Sequence, residues 1–271
     1  MNFIQVNQEK CTRCGICVNL CPPRILKMEE NGPSANESQA CIACGHCVAI
    51  CPRAAIDNIK TPLANQITLE EFPVINAETA HQYLRSRRSV RCYKNESVPR
   101  NQLLKLVDIA RFAPTASNKQ GISYIIVDDG KILKKVTEVV IQWMEENQSH
   151  WWSFPLHIQA YREQGIDGIF HSAPNLIIAT APKDFKNGRE NTILSFAYLE
   201  LFANTLGIGS AWAGLLEMCA FSNYAPLLDL FKIPENKSLT GAVMVGFPKY
   251  SFKRLVERNP LDVTWLSGDE I

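Results

Sequence analysis

Long apolar periodicities occupy the carboxyl-terminal two thirds of the chain. From Pro99 onward, Leu103, Leu106, Val107 and Ala110 recur at i, i+3, i+4 and i+7, which predicts a helix that begins near this proline. The same reasoning predicts helices over residues 77–89 and 131–146. Short β-type runs bounded by turn residues predict strands, at residues 123–127, 176–180, 239–247 and 262–266.

The segment 191–206 is apolar nearly all round. Its apolar positions include Ile193, Leu194, Phe196, Leu199 and Phe202. A helix without a polar face is buried on every side, so we expect a central helix at a subunit interface.

The amino-terminal 60 residues differ from the rest because they form an internal repeat with an offset of 30 residues. CTRCGICVNLCPPRIL aligns with CIACGHCVAICPRAAI, which indicates two copies of one supersecondary unit. We expect each copy to contain a short strand, a loop, a helical turn and a return strand. Residues 61–76 contain Pro62 and Pro73 and lack a helical stripe, so we interpret them as a linker to a domain over residues 77–271.

Eight of the ten cysteines lie in this repeat, each copy reading C-x2-C-x2-C-x3-C-P. Zinc sites use two pairs of ligands rather than three cysteines at i, i+3 and i+6 followed by Cys-Pro. A disulfide framework is typical of secreted proteins, and the start MNFIQVNQEK lacks the pattern of a secretory signal. The spacing therefore favours two [4Fe–4S] clusters held by thiolates.

The repeat resembles the bacterial two-cluster ferredoxins. In these proteins the fourth cysteine of each run binds the other cluster. The resemblance implies one cluster on Cys11, Cys14, Cys17 and Cys51, and another on Cys41, Cys44, Cys47 and Cys21. We expect an apolar shell around the clusters, formed by Ile16, Val18, Leu20, Val48 and Ile50.

Composition narrows the function classes. The chain has 271 residues, 46% of them hydrophobic, which suffices for one or two domains with a sizeable core. A net charge of +1 gives no reason to expect nucleic acid or an anionic membrane as partner, and no apolar run has the length of a spanning helix. We expect a cytoplasmic protein and, because exposed clusters are often labile to oxygen, an anaerobic or microaerobic cell.

A second set of motifs follows in a fixed order. RRSVRCY at residues 87–93 precedes APTASNKQ at 113–120, and LGIGSAWAG at 206–214 precedes GFP at 246–248 and FKR at 252–254. Together, these motifs resemble the nitroreductase family of FMN enzymes over residues 77–271. With the amino-terminal repeat, the chain resembles the ferredoxin-fused branch of that family.

The resemblance implies an α+β fold, with a mostly antiparallel sheet packed with helices, and a homodimer. It also implies that FMN is held by Arg87, Arg88, Ser89, Arg91, Thr115, Asn118, Gln120, Ala213, Gly214, Leu215, Lys253 and Arg254. Arginine suits the phosphate, since its guanidinium offers planar, bidentate recognition. After Gln120 the chain has Gly121-Ile122 where the family has Pro-Trp, so the resemblance says little about the substrate side there.

Several residues allow a structural as well as a functional interpretation. Gly207-Ile208-Gly209 does not fit a dinucleotide fingerprint, because position 212 is Trp212 rather than glycine. The aromatic residues between Trp143 and His157 could be core or a mobile cover over the flavin. His157, His171 and Tyr161 are candidate proton donors, although a lone histidine is more often structural, and no acid–base pair stands out. We expect Cys92 and Cys219 to be semi-buried structural residues.

Three hypotheses for the function follow. The first is a reductase in which a low-potential ferredoxin or similar donor feeds the clusters, the clusters feed FMN, and FMN reduces a nitroaromatic, quinone or activated alkene. The second is an NAD(P)H-driven nitroreductase with accessory clusters. The third is an electron-transfer module that does not turn over a small molecule.

Overall fold

The computed structural model describes residues 3–35 and 38–266. The chain divides into two compact units, the first formed by Met1–Val74 with Pro114–Gly121 and the second by Ile75–Ala113 with Ile122–Ile271. The segment Pro114–Gly121, which we expected in the second domain, thus groups with the cysteine-rich repeat. The domain boundaries at residues 60 and 77 stay predictions.

The first unit has the repeated strand–turn–strand organisation. Its elements are β1 (Ile4–Val6), α1 (Ile16–Leu20), β2 (Lys27–Glu29), β3 (Gly32–Ser34), α2 (His46–Ala49) and β4 (Ile56–Asn58). β1 pairs antiparallel with β4, and β2 pairs antiparallel with β3. Gly15 and Gly45 precede the two helical turns with φ of 77° and 72°, a left-handed conformation that glycine adopts without strain.

The core of the first unit differs from the expected apolar shell. Val48 is buried, but Ile16, Leu20 and Ile50 are more than two fifths exposed, so that part of the prediction is wrong. The helical turns α1 and α2 have only five and four residues, so each has few inward-facing positions. Cys17 occupies such a position in α1, and Cys47 does so in α2. The remaining apolar core comes mainly from the strands and their flanks, through Phe3, Ile4, Leu26 and Ile56.

The second unit is a four-stranded sheet covered by helices. Its elements are α3 (Ala77–Ser86), α4 (Arg100–Ala110), β5 (Ser123–Val127), α5 (Gly130–Glu146), α6 (Phe154–Gln164), β6 (Asn175–Pro182), α7 (Gly188–Thr205), β7 (Gly209–Trp212), α8 (Gly214–Phe221), α9 (Ala225–Leu230) and β8 (Lys237–Gly246). The strand order is β5-β6-β8-β7, and every neighbouring pair is antiparallel. The α+β class with a mostly antiparallel sheet is therefore confirmed.

Helix α7 packs closely on the sheet through one face. An added Cβ at Gly241 of β8 would lie 2.6 Å from Cγ2 of Thr192 and 3.1 Å from the ring of Phe196. The opposite face of α7 is open, because Leu194 and Tyr198 are each 41% exposed. In the single chain, the sheet and α4 cover parts of this helix, and its full burial at a subunit interface stays a prediction.

One predicted helix end and one predicted strand also differ from the structure. Helix α3 ends at Ser86 instead of residue 89, and its C-cap Arg87 has an extended backbone with φ −61° and ψ 124°. Residues 262–266 form no strand and are exposed, so the predicted tail strand is wrong. An apolar run forms a strand only where another edge pairs with it, and the described residues offer this segment no such edge.

Within residues 3–35 and 38–266, none of the helices combines the length and the apolar character that crossing a bilayer requires.

The contact between α7 and β8 gives a test of the fold. We expect Gly241→Ala to lower the melting temperature by roughly 2–12 °C, because overpacking a close contact costs about 1–3 kcal/mol. Gly130→Ala is the matched control, because its Cβ would meet nothing within 4 Å. Thermal unfolding followed by circular dichroism measures both variants, and equal melting temperatures would contradict the close approach.

Candidate cluster and cofactor sites

Four cysteines line a pocket at one end of the repeat. These are Cys11, Cys14, Cys17 and Cys51, the same group that the resemblance to ferredoxins implies. Cys51 reaches this pocket from the second copy of the motif, so the two copies are interleaved. We call this pocket the first cluster site.

The other four cysteines line a second pocket. They are Cys21, Cys41, Cys44 and Cys47, and here the exchanged ligand, Cys21, comes from the first copy. We call this pocket the second cluster site. Its other walls are mainly apolar, with Phe3, Ile4, Ile25 and Leu26 among them.

The donor set fits iron–sulfur clusters better than the alternatives. None of these eight described cysteines forms a disulfide. Among the described residues, no group of three or more His, Cys, Asp or Glu side chains converges as a single metal ion requires. Burial raises the pKa of the Cys17 and Cys47 thiols, whereas a hydrogen bond from the backbone of Ile16 lowers the pKa of Cys14. Cluster binding would hold all of them as thiolates.

Hydrogen-bond donors point at the cysteine sulfurs. The backbone N–H of Ala55 donates to Sγ of Cys51 at 3.2 Å. The side-chain amide of Asn58, which is only 2% exposed, donates to Sγ of Cys41 at 3.8 Å and of Cys47 at 4.0 Å. Such donors stabilise thiolate charge and tune cluster potentials. Asn58 escaped the sequence analysis, although a polar residue in a β-type position beside the motif was a usable signal.

The loop Pro114–Gly121 bonds to the second cluster site. The amide of Asn118 donates to the carbonyl oxygens of Ile42 and Ala43, at 3.2 and 2.8 Å. The backbone N–H of Gln120 donates to Oγ1 of Thr115 at 2.9 Å, which closes the loop on itself. Thr115, Asn118 and Gln120, the three residues that we expected at the flavin, thus lie in the first unit, and Asn118 holds a cysteine loop.

A cationic cavity of about 680 Å³ lies in the second unit. It brings together Arg88, Lys253 and Arg254, three residues that the sequence analysis assigned to the FMN phosphate. Three further cations that the sequence analysis missed also line the cavity, namely Arg85, Lys94 and Lys249. Lys94 directly follows the RRSVRCY motif, and Lys249 directly follows the GFP motif. The guanidinium of Arg88 lies 5.8 Å from the ring centroid of Phe252, which also lines the cavity. Such a set of cations fits a phosphate dianion.

Arg87 is placed differently from Arg88. It does not line the cavity but faces the carboxylate of Glu200, with Nη1 3.5 Å from Oε1. Glu200 is 7% exposed and also accepts from the Ser210 hydroxyl at 3.0 Å and from the Trp212 indole N–H at 3.1 Å. A buried carboxylate requires such donors. Glu200 was missed, although a charge within an otherwise apolar helix signals a buried partner.

Ser89 and Arg91 take further positions around β7. Ser89 forms a parallel bridge with Ser210, and the next residue donates its N–H to the carbonyl of Ser210 at 2.9 Å. The pKa of His171 is lowered by burial and then by the charge of Arg91. Neither Ser89 nor Arg91 lines the cationic cavity.

The β7–α8 junction presents backbone rather than side chains. Ala213 is fully buried, and its N–H donates to the carbonyl of Ala242 at 2.9 Å. Gly214 is exposed at the start of α8, and Leu215 is half-buried. An α-helix begins with unpaired N–H groups, so Gly214 and Leu215 could face a cofactor, whereas the Ala213 side chain serves packing.

The aromatic residues between Trp143 of α5 and His157 of α6 fall into two groups. Trp143 and Phe154 are buried and meet edge to face at 5.3 Å, so for them the core interpretation holds. Trp151 and Trp152 are 48% and 78% exposed and remain available for a flat ligand.

The remaining candidates fall outside the cationic cavity. Burial raises the pKa of Tyr161, and neither Tyr161 nor His157 lines the cationic cavity. We expected Cys92 and Cys219 to be semi-buried, but Cys92 is exposed and Cys219 is fully buried. Burial raises the pKa of Cys219 to about 12, which keeps this thiol protonated and unreactive.

Comparison with known proteins supports the two-part organisation. Residues 84–247 match the nitroreductase family, and residues 3–52 match a 4Fe-4S dicluster domain. A relative from Archaeoglobus fulgidus, named as a candidate NADH dehydrogenase/NAD(P)H nitroreductase, is 25% identical over 60% of this chain and 82% of its own length.

Solved structures share the fold of the second unit. A nitroreductase with bound FMN from Bacteroides fragilis superposes with a TM-score of 0.58, at 18% identity, over 70% of this chain and 100% of that one. A nitroreductase with bound FMN from Desulfitobacterium hafniense gives 0.57, at 17% identity, over 72% and 100%.

The family match covers more than half of the chain, and the dicluster match covers the repeat. The oxidoreductase class and the predicted cofactors, two [4Fe–4S] clusters and FMN, are thereby confirmed. The chain belongs to the nitroreductase family, and it carries a 4Fe-4S dicluster domain at its amino-terminal end.

Proposed function

We propose that this iron–sulfur flavoprotein takes electrons from a low-potential, ferredoxin-type donor into its two clusters, uses them at FMN, and reduces a flat, electron-poor substrate. Nitroaromatics, quinones and activated alkenes form the substrate class. The observation that carries the proposal is the presence, in one chain, of two four-cysteine pockets and a cationic cavity.

The cysteine pockets support one-electron input. Each offers four thiolate donors, a set that suits a [4Fe–4S] cluster, and such clusters carry electrons singly. FMN supplies the conversion from single electrons to the two-electron reduction of an organic substrate. Electron input through a fused pair of clusters would give both of them a direct part in the reaction.

The cationic cavity supports the assignment of the FMN phosphate. Arg88, Lys253 and Arg254 surround it, and Arg88 is kept near Phe252 by contact with the ring. We propose that Arg87 supports the neighbouring cavity without binding the phosphate, because buried Glu200 balances its charge. Ser89, Arg91, Thr115, Asn118, Gln120, Ala213, Gly214 and Leu215 remain proposed flavin contacts.

Substrate reduction needs few protein groups. The exposed rings of Trp151 and Trp152 suit a flat substrate by stacking. No described pair of side chains resembles a dedicated acid and base, and solvent can supply the proton. The chain's own contribution is then to bind, orient and exclude water.

An open apolar face supports a homodimer. On α7, Ile193, Leu194 and Tyr198 are exposed at helical spacing, and the tail exposes Trp265 and Leu266. Apolar patches of this kind mark interaction surfaces. We propose that a second copy of the chain covers this face.

The relative from Archaeoglobus fulgidus, which is named for NAD(P)H, favours a second function, that of an NAD(P)H-driven nitroreductase. A nicotinamide could deliver hydride at the flavin directly, and the clusters would then export or store electrons. A chain that only transfers electrons between proteins is the third possibility, and it would not turn over a small molecule.

Electron entry separates these functions. We expect the anaerobic protein to show no flavin bleaching with NADH or NADPH, and rapid bleaching with a reduced ferredoxin, because electrons enter at the clusters. Absorbance of the flavin measures both. Rapid bleaching by NADH or NADPH would instead establish the nicotinamide-driven enzyme, and bleaching that no quinone or nitroaromatic reverses would favour the transfer module.

The phosphate assignment predicts a selective loss. Arg88→Ala should weaken FMN binding roughly 10- to 100-fold, since a hydrogen bond to a charged group contributes about 1.5–3 kcal/mol. Cluster content should stay unchanged. Arg111→Ala, which removes an exposed arginine paired with Asp108, is the control. Full flavin retention by Arg88→Ala after dialysis would disprove the assignment.

The dimer face predicts a change in mass. Leu194→Glu should convert a two-chain particle into a one-chain particle, because an unpaired charge buried in an interface is costly. Ile132→Glu changes an equally exposed residue of another helix and should leave the mass unaltered. Light scattering after size exclusion measures both, and a dimer that survives Leu194→Glu would place the interface elsewhere.

A further inference from the structure

The 30-residue repeat allows the two cluster sites to be compared position by position. Three cations, Lys10, Arg13 and Arg53, line the first site. The aligned positions at the second site are Ala40, Ala43 and Pro23. The repeat has therefore kept the cysteines and changed the charge around them.

The surroundings of the first site are open to a partner. Lys10, Arg13, Arg53 and Cys14 are all exposed, and no Asp or Glu occurs among the described residues that line the site. Arg13 is oriented by a hydrogen bond from Nη1 to the backbone carbonyl of Glu30 at 3.1 Å, which leaves its charge unneutralised. Because Cys14 is exposed, a cluster bound at this site would be accessible from solvent.

The second site is engaged by the chain itself. Its loop carbonyls at Ile42 and Ala43 accept from Asn118, and Lys60 donates to the carbonyl of Cys41 at 3.1 Å. Its cysteines are half-buried or buried. A carrier protein would have to displace these bonds, whereas none of them obstructs the first site.

From this asymmetry we propose that Lys10, Arg13 and Arg53 form a docking surface for an acidic one-electron carrier protein, which delivers electrons to the first cluster. The proposal rests on the proposed function, in which the donor is of ferredoxin type. Cations around a recess attract an acidic partner, and such steering raises association rates by 10- to about 1,000-fold at low ionic strength.

Each encounter with the carrier transfers a single electron. One electron leaves the reduced carrier, which is oxidised by one, and the first cluster is reduced by one. No bond forms or breaks, and no proton moves. Two such encounters supply the electron pair that the reduction of one substrate molecule consumes.

The test uses the 271-residue chain with its clusters and FMN, and a triple variant, Lys10→Glu with Arg13→Glu and Arg53→Glu. Stopped-flow absorbance measures the second-order rate of cluster reduction by a reduced acidic ferredoxin. We expect a fall of about tenfold or more at low salt, shrinking toward none near 1 M, where charges are screened within roughly 3 Å.

A probe of opposite charge distinguishes docking from damage. Reduced methyl viologen is a cation, so it should reduce the triple variant at least as fast as the unaltered protein. Iron and sulfide content show whether both clusters are present. If the glutamates prevent cluster assembly, the corresponding glutamine variant is measured in their place, and a smaller loss in the same direction is expected.

A matched pair locates the surface. Arg53→Glu and Arg24→Glu each reverse one exposed charge after a Cys-Pro, but Arg24 lies between Pro23 and Ile25 of the second site. Only Arg53→Glu should slow reduction by the ferredoxin. Equal slowing by both, or no slowing in the triple variant, would overturn the docking surface while leaving the proposed function intact. Failure of the unaltered protein to accept electrons from ferredoxin, with reduction by NADH, would overturn both.

Discussion

Exchange of cysteines between the two halves of the repeat is the constraint on which the amino-terminal unit depends. Cys51 completes the first site and Cys21 completes the second, so neither half can form its site alone. The unit has short strands, single helical turns and a small apolar core. Ligation must therefore supply much of the stabilisation that a larger core would give, and the exposed Ile16 and Leu20 are tolerated because the cysteines take the inward positions.

The second unit depends on the placement of its arginine and lysine side chains. The cationic cavity gathers side chains from the end of α3, from the strand-like segment after it and from the tail. Their mutual repulsion favours an anion in the cavity. Glu200 removes Arg87 from this set by pairing with it, and the same carboxylate accepts from Ser210 and Trp212, which fixes β7 against α7. The charge of Arg87 and the packing of β7 on α7 thus depend on one buried carboxylate.

Sequence reasoning succeeded where the signal lies in local spacing. The cysteine runs specify clusters because the motif itself sets the ligands, and the antiparallel sheet follows from the ordered motifs of the family. It failed where partners are distant in sequence. Asn58 gains its role from Cys41 and Cys47, and Glu200 from Arg87, which only the folded chain brings near. The amide of Asn118 shows the same limit, since no local pattern predicts its bonds to Ile42 and Ala43.

The central claim is that electrons reach the flavin by way of the clusters. Anaerobic rapid mixing of the protein with a limiting amount of reduced ferredoxin, with cluster and flavin absorbance followed separately, tests it most directly. We expect cluster bleaching first, then cluster recovery at the rate at which the flavin bleaches. Flavin bleaching that precedes cluster reduction, or proceeds at full rate in Cys14→Ala, would contradict the claim.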